Sequence, residues 1–260
     1  MNNRVIEFFC MPIFVGMFFS LTACKNDGRD KLTIAVSANM QYAMEELVQS
    51  FTESSGIQCE LIVGSSGKLT AQIVEGAPFD LFLSADMKYP EVIYEKGLAH
   101  KKPEVYAYGY LVFWSLDKGM ELSAESLSGD KVNHIAIANP ETAPYGAAAL
   151  DLLRRMGIID QVHEKLVYGE SVSQTNQFIL SGSVQVGITA RSVVSSPAAQ
   201  GKGHWTEADD RLYQPIAQGV VVLKNQEARL RQALAFSEFL RSSAAKEILH
   251  KFGYGLEDGI

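Results

Sequence analysis

The 260-residue chain is 47% hydrophobic and 20% charged, with a net charge of −7. That is the composition of a globular protein, not of a disordered or fibrous one. It lacks the clustered Lys and Arg that a nucleic-acid surface needs. Three cysteines and five scattered histidines (100, 134, 163, 204 and 250) offer no zinc-ligand spacing.

Chain order begins with a short positive start, Asn2-Asn3-Arg4, followed by an apolar run from Phe8 to Phe19 and then Leu21-Thr22-Ala23-Cys24. This is the layout of a lipoprotein export signal. Residues 1–23 are read as the signal peptide, Cys24 as the lipid-modified N-terminus and residues 24–30 as a tether. A transmembrane helix is the alternative, but the run falls short of the roughly 20 residues needed to span and contains Pro12. With Cys10 removed and Cys24 lipidated, Cys59 is left alone. It alternates with Ile57, Leu61 and Val63, the pattern of a buried structural thiol on a strand.

Folded structure is expected from Lys31. Leu32, Ile34 and Val36 alternate as a strand, and Ala43, Met44, Leu47, Val48 and Phe51 mark one face of a helix ending near Gly56. Strands follow over 57–63 and 79–83, with a short helix over 66–76 between them and another helix to about Gly97. A second cycle has strands over 110–114, 135–138, 165–168 and 184–188 and helices over 145–156 and 172–181. The chain returns with a strand over 219–223 and helices over 227–240 and 243–251. Strand–helix alternation predicts α/β architecture with mainly parallel sheets. Two cycles and a return predict two lobes, 31–109 with 214–260 and 110–213, joined by a hinge and separated by a cleft.

In open parallel sheets ligands sit where strands end and helices begin. Four such junctions stand out: Ser37-Ala38-Asn39-Met40, Gly64-Ser65-Ser66-Gly67-Lys68, Asn139 to Gly146, and Gly169-Glu170-Ser171-Val172. The first N–H groups of a helix lack internal partners and carry partial positive charge. Several aimed at one point form an anion site without any Lys or Arg, and Asn39 and Ser66 can add side-chain donors. Simple N-capping explains each junction singly. Gly64 to Leu69 is not a Walker A loop, because Ile62 and Leu69 stand where Gly and Ser/Thr are required. Asp80 and Asp86 are expected to cap a neighbouring helix, Glu207 to Asp210 to form a solvated loop, and Tyr106, Tyr108 and Tyr110 to pack near the hinge.

The chain resembles the periplasmic molybdate-binding proteins of ABC transporters over roughly residues 31–254. The resemblance is carried by Ala38-Asn39, by Gly64 to Leu69, and most specifically by Gly76-Ala77-Pro78-Phe79-Asp80-Leu81-Phe82-Leu83-Ser84-Ala85-Asp86. Asn139-Pro140-Glu141, Pro144-Tyr145-Gly146, Gly187-Ile188 and Phe252-Gly253-Tyr254 complete it. It implies a type II binding-protein fold, two α/β lobes closing on one oxyanion. Asn39 and Ser66 would bind from the first lobe, and Tyr145 and Val172 from the second through main-chain N–H. One departure is Ala190, where many relatives carry a Tyr, so no phenol donor is carried over there. The implied protein is a monomer without catalytic residues or cofactor, tethered by lipid outside the cytoplasm. It captures molybdate, and tungstate with it, for a membrane permease and ATPase. Rival readings are a binder of sulfate or phosphate, and an exported hydrolase using Ser65 or Ser66 as nucleophile.

Overall fold

The computed structural model describes residues 31–224 and 229–256. The expected signal peptide, Cys24 and tether lie outside them. The first lobe opens with β1 (Leu32–Ser37), a 3-10 turn (Ala38–Met40), α1 (Gln41–Ser55), β2 (Cys59–Gly64) and α2 (Ser66–Val74). β3 (Leu81–Ser84), α3 (Lys88–Glu95) and β4 (Glu104–Gly109) follow. The second lobe contains β5 (Leu111–Ser115), α4 (Ala124–Ser128), β6 (Ile135–Ala138), α5 (Pro144–Arg155) and α6 (Ile159–Val162). It continues with β7 (Leu166–Gly169), α7 (Val172–Leu180), β8 (Val186–Ala190), α8 (Arg191–Val194) and β9 (His204–Glu207). The chain then returns to the first sheet through β10 (Ile216–Val222), α9 (Leu230–Phe239) and α10 (Ser243–Lys251).

The first sheet has the order β2-β1-β3-β10-β4 and the second β7-β6-β8-β5-β9. Both are mixed rather than mainly parallel. β1 runs parallel to β2 and β3, while β10 is antiparallel to β3 and β4. β6 runs parallel to β7 and β8, while β5 is antiparallel to β8 and β9. The antiparallel members are the strands that enter each lobe from the other, so they meet the sheet from its opposite end.

Period-two alternation divides the side chains of the first sheet between two cores. Leu32, Ile34, Val36, Leu81, Leu83, Val220 and Val222 pack with α1, α9 and α10. Ala35, Phe82 and Val221 pack with Leu69 and Ile73 of α2 and Ile93 of α3. Helix α1 stops where Gly56 takes a left-handed conformation (φ 74°) and its N–H bonds the Thr52 carbonyl.

β4 and β9 fall where no strand was expected. Tyr106 and Tyr108 lie on β4, and β9 is a short edge paired only to β5. Cys59 is half-buried, not enclosed, and Val63 is 38% exposed because β2 is an edge strand. Burial, with Asp80 as a lesser influence, pushes the Cys59 thiol up to about 12, so it is an inert thiol at neutral pH. Asp86 caps α3 by accepting from the Tyr89 N–H, and desolvation raises its carboxyl above the usual range despite that bond. Asp80 caps no helix: its Oδ2 accepts from the Thr33 N–H at 2.7 Å and from Arg229 Nε at 2.9 Å. Glu207 closes β9 instead of lying in a loop, while Asp209 holds Arg211.

Candidate functional site

The strand-to-helix junctions meet between the lobes. Ser37, Ala38, Asn39, Ser65, Ser66 and Ala85 from the first lobe, with Ala143, Pro144, Tyr145 and Val172 from the second, line one small cavity. Its volume is about 10 Å³ for the centre of a water-sized sphere. That is close to the floor for holding a single water and far below the ~300 Å³ of sites for organic ligands. With the lobes closed this far, the cavity is too small for any organic ligand. A wider cleft of about 780 Å³, lined by Tyr110, Arg191, Asp210, Tyr213 and His250 among others, lies apart from these junctions.

Each junction presents the head of a helix. Ser66 is the first residue of α2, Tyr145 the second of α5 after Pro144, and Val172 the first of α7. At these positions an N–H has no acceptor inside its own helix. Asn39 sits within the 3-10 turn that follows β1. Fixed φ preorganises Pro144 for the first helical position. Ser171 caps α7 by accepting from the Gln174 N–H, which leaves the Val172 N–H unused.

The hydroxyls divide into bonded and unbonded groups. Ser37 and Ser66 Oγ are 2.6 Å apart, and the Ala85 N–H donates to both. Ser65 Oγ, in a residue 4% exposed, has no hydrogen-bond partner in the protein. Ser37 and Ser65 stand in junctions the sequence points to, and Ala85 in the Gly76–Asp86 stretch, but none of the three is among the four expected ligand residues. Their shared signal was position, at or just past the carboxyl end of a strand.

Asn39 is placed at the cavity, but its amide is occupied elsewhere. Nδ2 donates to Gln218 Oε1 at 2.8 Å and to the Tyr254 hydroxyl at 3.0 Å. Gln218 Nε2 in turn donates to the Ile216 carbonyl, which fixes Oε1 as the atom facing Asn39. The Asn39 carbonyl accepts from the Ser192 hydroxyl of the second lobe and from Tyr254. The side chain thus braces the hinge, and the main-chain N–H is what Asn39 has to offer a ligand.

The Tyr145 phenol likewise turns away from its own N–H and packs onto Gly109, where β4 passes into β5. Burial holds the phenols of Tyr145 and Tyr254 well above the usual tyrosine range, so both stay neutral. Ala190 is fully buried at the end of β8 and does not line the cavity. Among the described residues no carboxylate, Lys, Arg or His lines it either.

The lobes are closed on one another around this point. The Gly67 N–H donates to the Thr142 carbonyl at 2.9 Å, and the Tyr89 hydroxyl to the Glu141 carbonyl at 3.0 Å. Lys68 pairs with Glu170, both about half exposed, and Ser173 donates to Gln41. Gly67 is required by close approach: a Cβ there would sit 2.8 Å from the Tyr89 hydroxyl and 3.0 Å from Thr142 Cα. In Gly67→Ala the lobes should fail to close fully, while the helix gains about 0.5–1 kcal/mol over Gly. Ligand affinity should therefore fall as ligand-free stability rises, which calorimetry and thermal melts together measure. Gly146→Ala should act differently, because its Cβ would overlap the Ala138 carbonyl behind α5. Displacing α5 should cost about 1–3 kcal/mol of stability and move the Tyr145 N–H off its position, lowering affinity and melting temperature together.

Fold and pocket define a two-lobed binding protein with one small cavity enclosed at the helix heads between its lobes. A family model described as bacterial extracellular solute-binding protein matches residues 32–255. The molybdate-binding protein ModA of Rhodobacter capsulatus is 38% identical over 224 residues, 86% of this chain and 87% of that protein. The solved periplasmic molybdate-binding protein of Azotobacter vinelandii superposes with a TM-score of 0.82 at 33% identity, covering 87% of this chain and 99% of that one. The putative ABC transporter substrate-binding lipoprotein YvgL of Bacillus subtilis is 28% identical over 229 residues, 87% of this chain and 86% of that protein. The chain belongs to the bacterial extracellular solute-binding proteins, in the molybdate-binding ModA family. As a member of that family it is a solute-binding protein; Ser66 Oγ bonds Ser37 and the Ala85 N–H, and Lys68 pairs with Glu170. Among the described residues no group of three or more His, Cys, Asp or Glu could hold a bare metal ion.

Proposed function

We propose that the protein captures molybdate, and tungstate with it, outside the cytoplasm and delivers it to an ABC permease and its ATPase. A lipid on Cys24 would hold it at the membrane, in keeping with the Leu21-Thr22-Ala23-Cys24 sequence and the name of its B. subtilis relative. Asn39, Ser66, Tyr145 and Val172 bind the oxyanion through main-chain N–H, with the hydroxyls of Ser65 and Ser66 as further donors. The observation that carries this reading is the convergence of helix heads from both lobes on a cavity lined by uncharged groups.

Molybdate and tungstate are tetrahedral dianions that hold no proton near neutral pH. Neutral donors suit such an ion, because none must titrate to bind it. Burying an unpaired charge is very costly, but each hydrogen bond to a charged group contributes roughly 1.5–3 kcal/mol. About six such bonds exceed the ~8 kcal/mol of micromolar binding and leave a margin for closure. Sulfate is smaller, and donors fixed by two closed lobes do not all reach it. Phosphate carries a proton that needs an acceptor.

Calorimetric titration of the purified protein tests this. Molybdate and tungstate should bind at submicromolar concentration with one ion per chain, and sulfate and phosphate far more weakly. Equal or tighter sulfate binding would replace the assignment with the sulfate alternative.

A further inference from the structure

Ser37 ends β1 and Ser66 begins α2, and they are 2% and 1% exposed. Their oxygens are 2.6 Å apart, so one hydroxyl donates to the other. The Ala85 N–H donates to both, at 2.9 Å to Ser37 and 3.0 Å to Ser66. A hydroxyl owns one hydrogen and two acceptor lone pairs. Of the pair's two hydrogens, one is consumed between the oxygens and the other meets no acceptor among the described residues. Ser37 also precedes a 3-10 turn as its N-cap yet makes no capping bond. Its hydroxyl is diverted from the role usual at that position.

We propose that Ser37 is a positioning residue that sets anion specificity. Its hydroxyl donates to Ser66 Oγ. Together with the Ala85 N–H it fills both lone pairs of Ser66, which can then present only a hydrogen to the bound oxyanion. Ser66 keeps the free hydrogen because it stands beside its own unpaired N–H at the head of α2, where negative charge is favoured. The role assigned to Ser37 rests on the pocket being a molybdate site.

The consequence is discrimination by protonation. A fully deprotonated tetrahedral ion meets only donors. Phosphate near neutrality brings an O–H toward an oxygen with no lone pair left, and a polar group buried without a partner is penalised. Removing the Ser37 hydroxyl reopens one lone pair on Ser66, which can then rotate and accept.

The test compares Ser37→Ala, Ser37→Thr and Ser66→Ala with the wild type by calorimetry, using molybdate and inorganic phosphate, with ligand-free melts to verify folding. Ser37→Ala should weaken molybdate roughly two- to tenfold and narrow the molybdate-to-phosphate ratio, more so as pH falls and phosphate holds more protons. Ser37→Thr keeps the hydroxyl at an extended backbone position (φ −63°, ψ 139°) and should restore both values. Ser66→Ala should lose more molybdate affinity than Ser37→Ala without improving phosphate binding. The proposal is overturned if Ser37→Ala leaves the ratio at its wild-type value, whatever happens to affinity, or if Ser37→Thr fails to restore it. A wild-type protein that ignores molybdate altogether would instead strike the assignment of the pocket.

Discussion

Arg229→Met should destabilise the protein by about 3–5 kcal/mol, the usual cost of removing one partner of a buried ion pair. Asp80 is 1% exposed, and Arg229 leaves only 17% of its side chain to solvent. Arg229 Nε donates to Asp80 Oδ2 at 2.9 Å, beside the Thr33 N–H at 2.7 Å. Met keeps much of the apolar stem but leaves the carboxylate without its cation, in a setting where solvent cannot screen it. The pair also ties the start of α9 to the edge between β1 and β3, so the loss should loosen the C-terminal helices first. Denaturant unfolding of the ligand-free variant measures the cost. A drop in melting temperature on the order of 10 °C accompanies it for a chain of this size. Wild-type stability would mean that the carboxylate finds another cation or water in the variant.

Local structure was legible wherever a short stretch of sequence determines it. The alternation of Leu32, Ile34 and Val36, the helix from Ala43 to Phe51 with Gly56 behind it, and the strand Ile135–Ala138 all stand as expected. The rule that ligands lie beyond strand ends points to four junctions, the family resemblance implies Asn39, Ser66, Tyr145 and Val172 within them, and these four residues line one cavity.

What the sequence hid was long-range pairing. The Asn39 amide reads as a ligand donor until Gln218 and Tyr254, 179 and 215 residues away, are seen to engage it. Asp80 reads as a helix cap until Arg229 appears beside it. The mixed character of both sheets depends on how β5 and β10 enter after crossing between lobes, a feature of topology with no local signature. β4 is obscure in the sequence because the alternating Tyr106, Tyr108 and Tyr110 are equally well explained by packing near the hinge.

The second large effect concerns the main chain itself. If N–H groups at helix heads hold the oxyanion, deleting one of them without disturbing its helix should cost affinity alone. Val172 allows this, because Pro at the first helical position keeps the helix and removes only the N–H. α5 already carries Pro144 at the equivalent position. Ser171 is extended (φ −149°, ψ 170°), close to the conformation a following Pro favours. Its capping bonds to Gln174 and Thr175 do not involve the N–H of Val172. Val172→Ala is the companion variant, since it trims the side chain and keeps the donor.

Calorimetric titration of molybdate into Val172→Pro, beside Val172→Ala, is the most direct measurement. One lost charge-assisted bond of about 1.5–3 kcal/mol predicts binding weaker by roughly ten- to a hundredfold in the Pro variant, with the Ala variant near wild type and both folded. Equal molybdate affinity in the Pro and Ala variants would contradict a site built from main-chain donors.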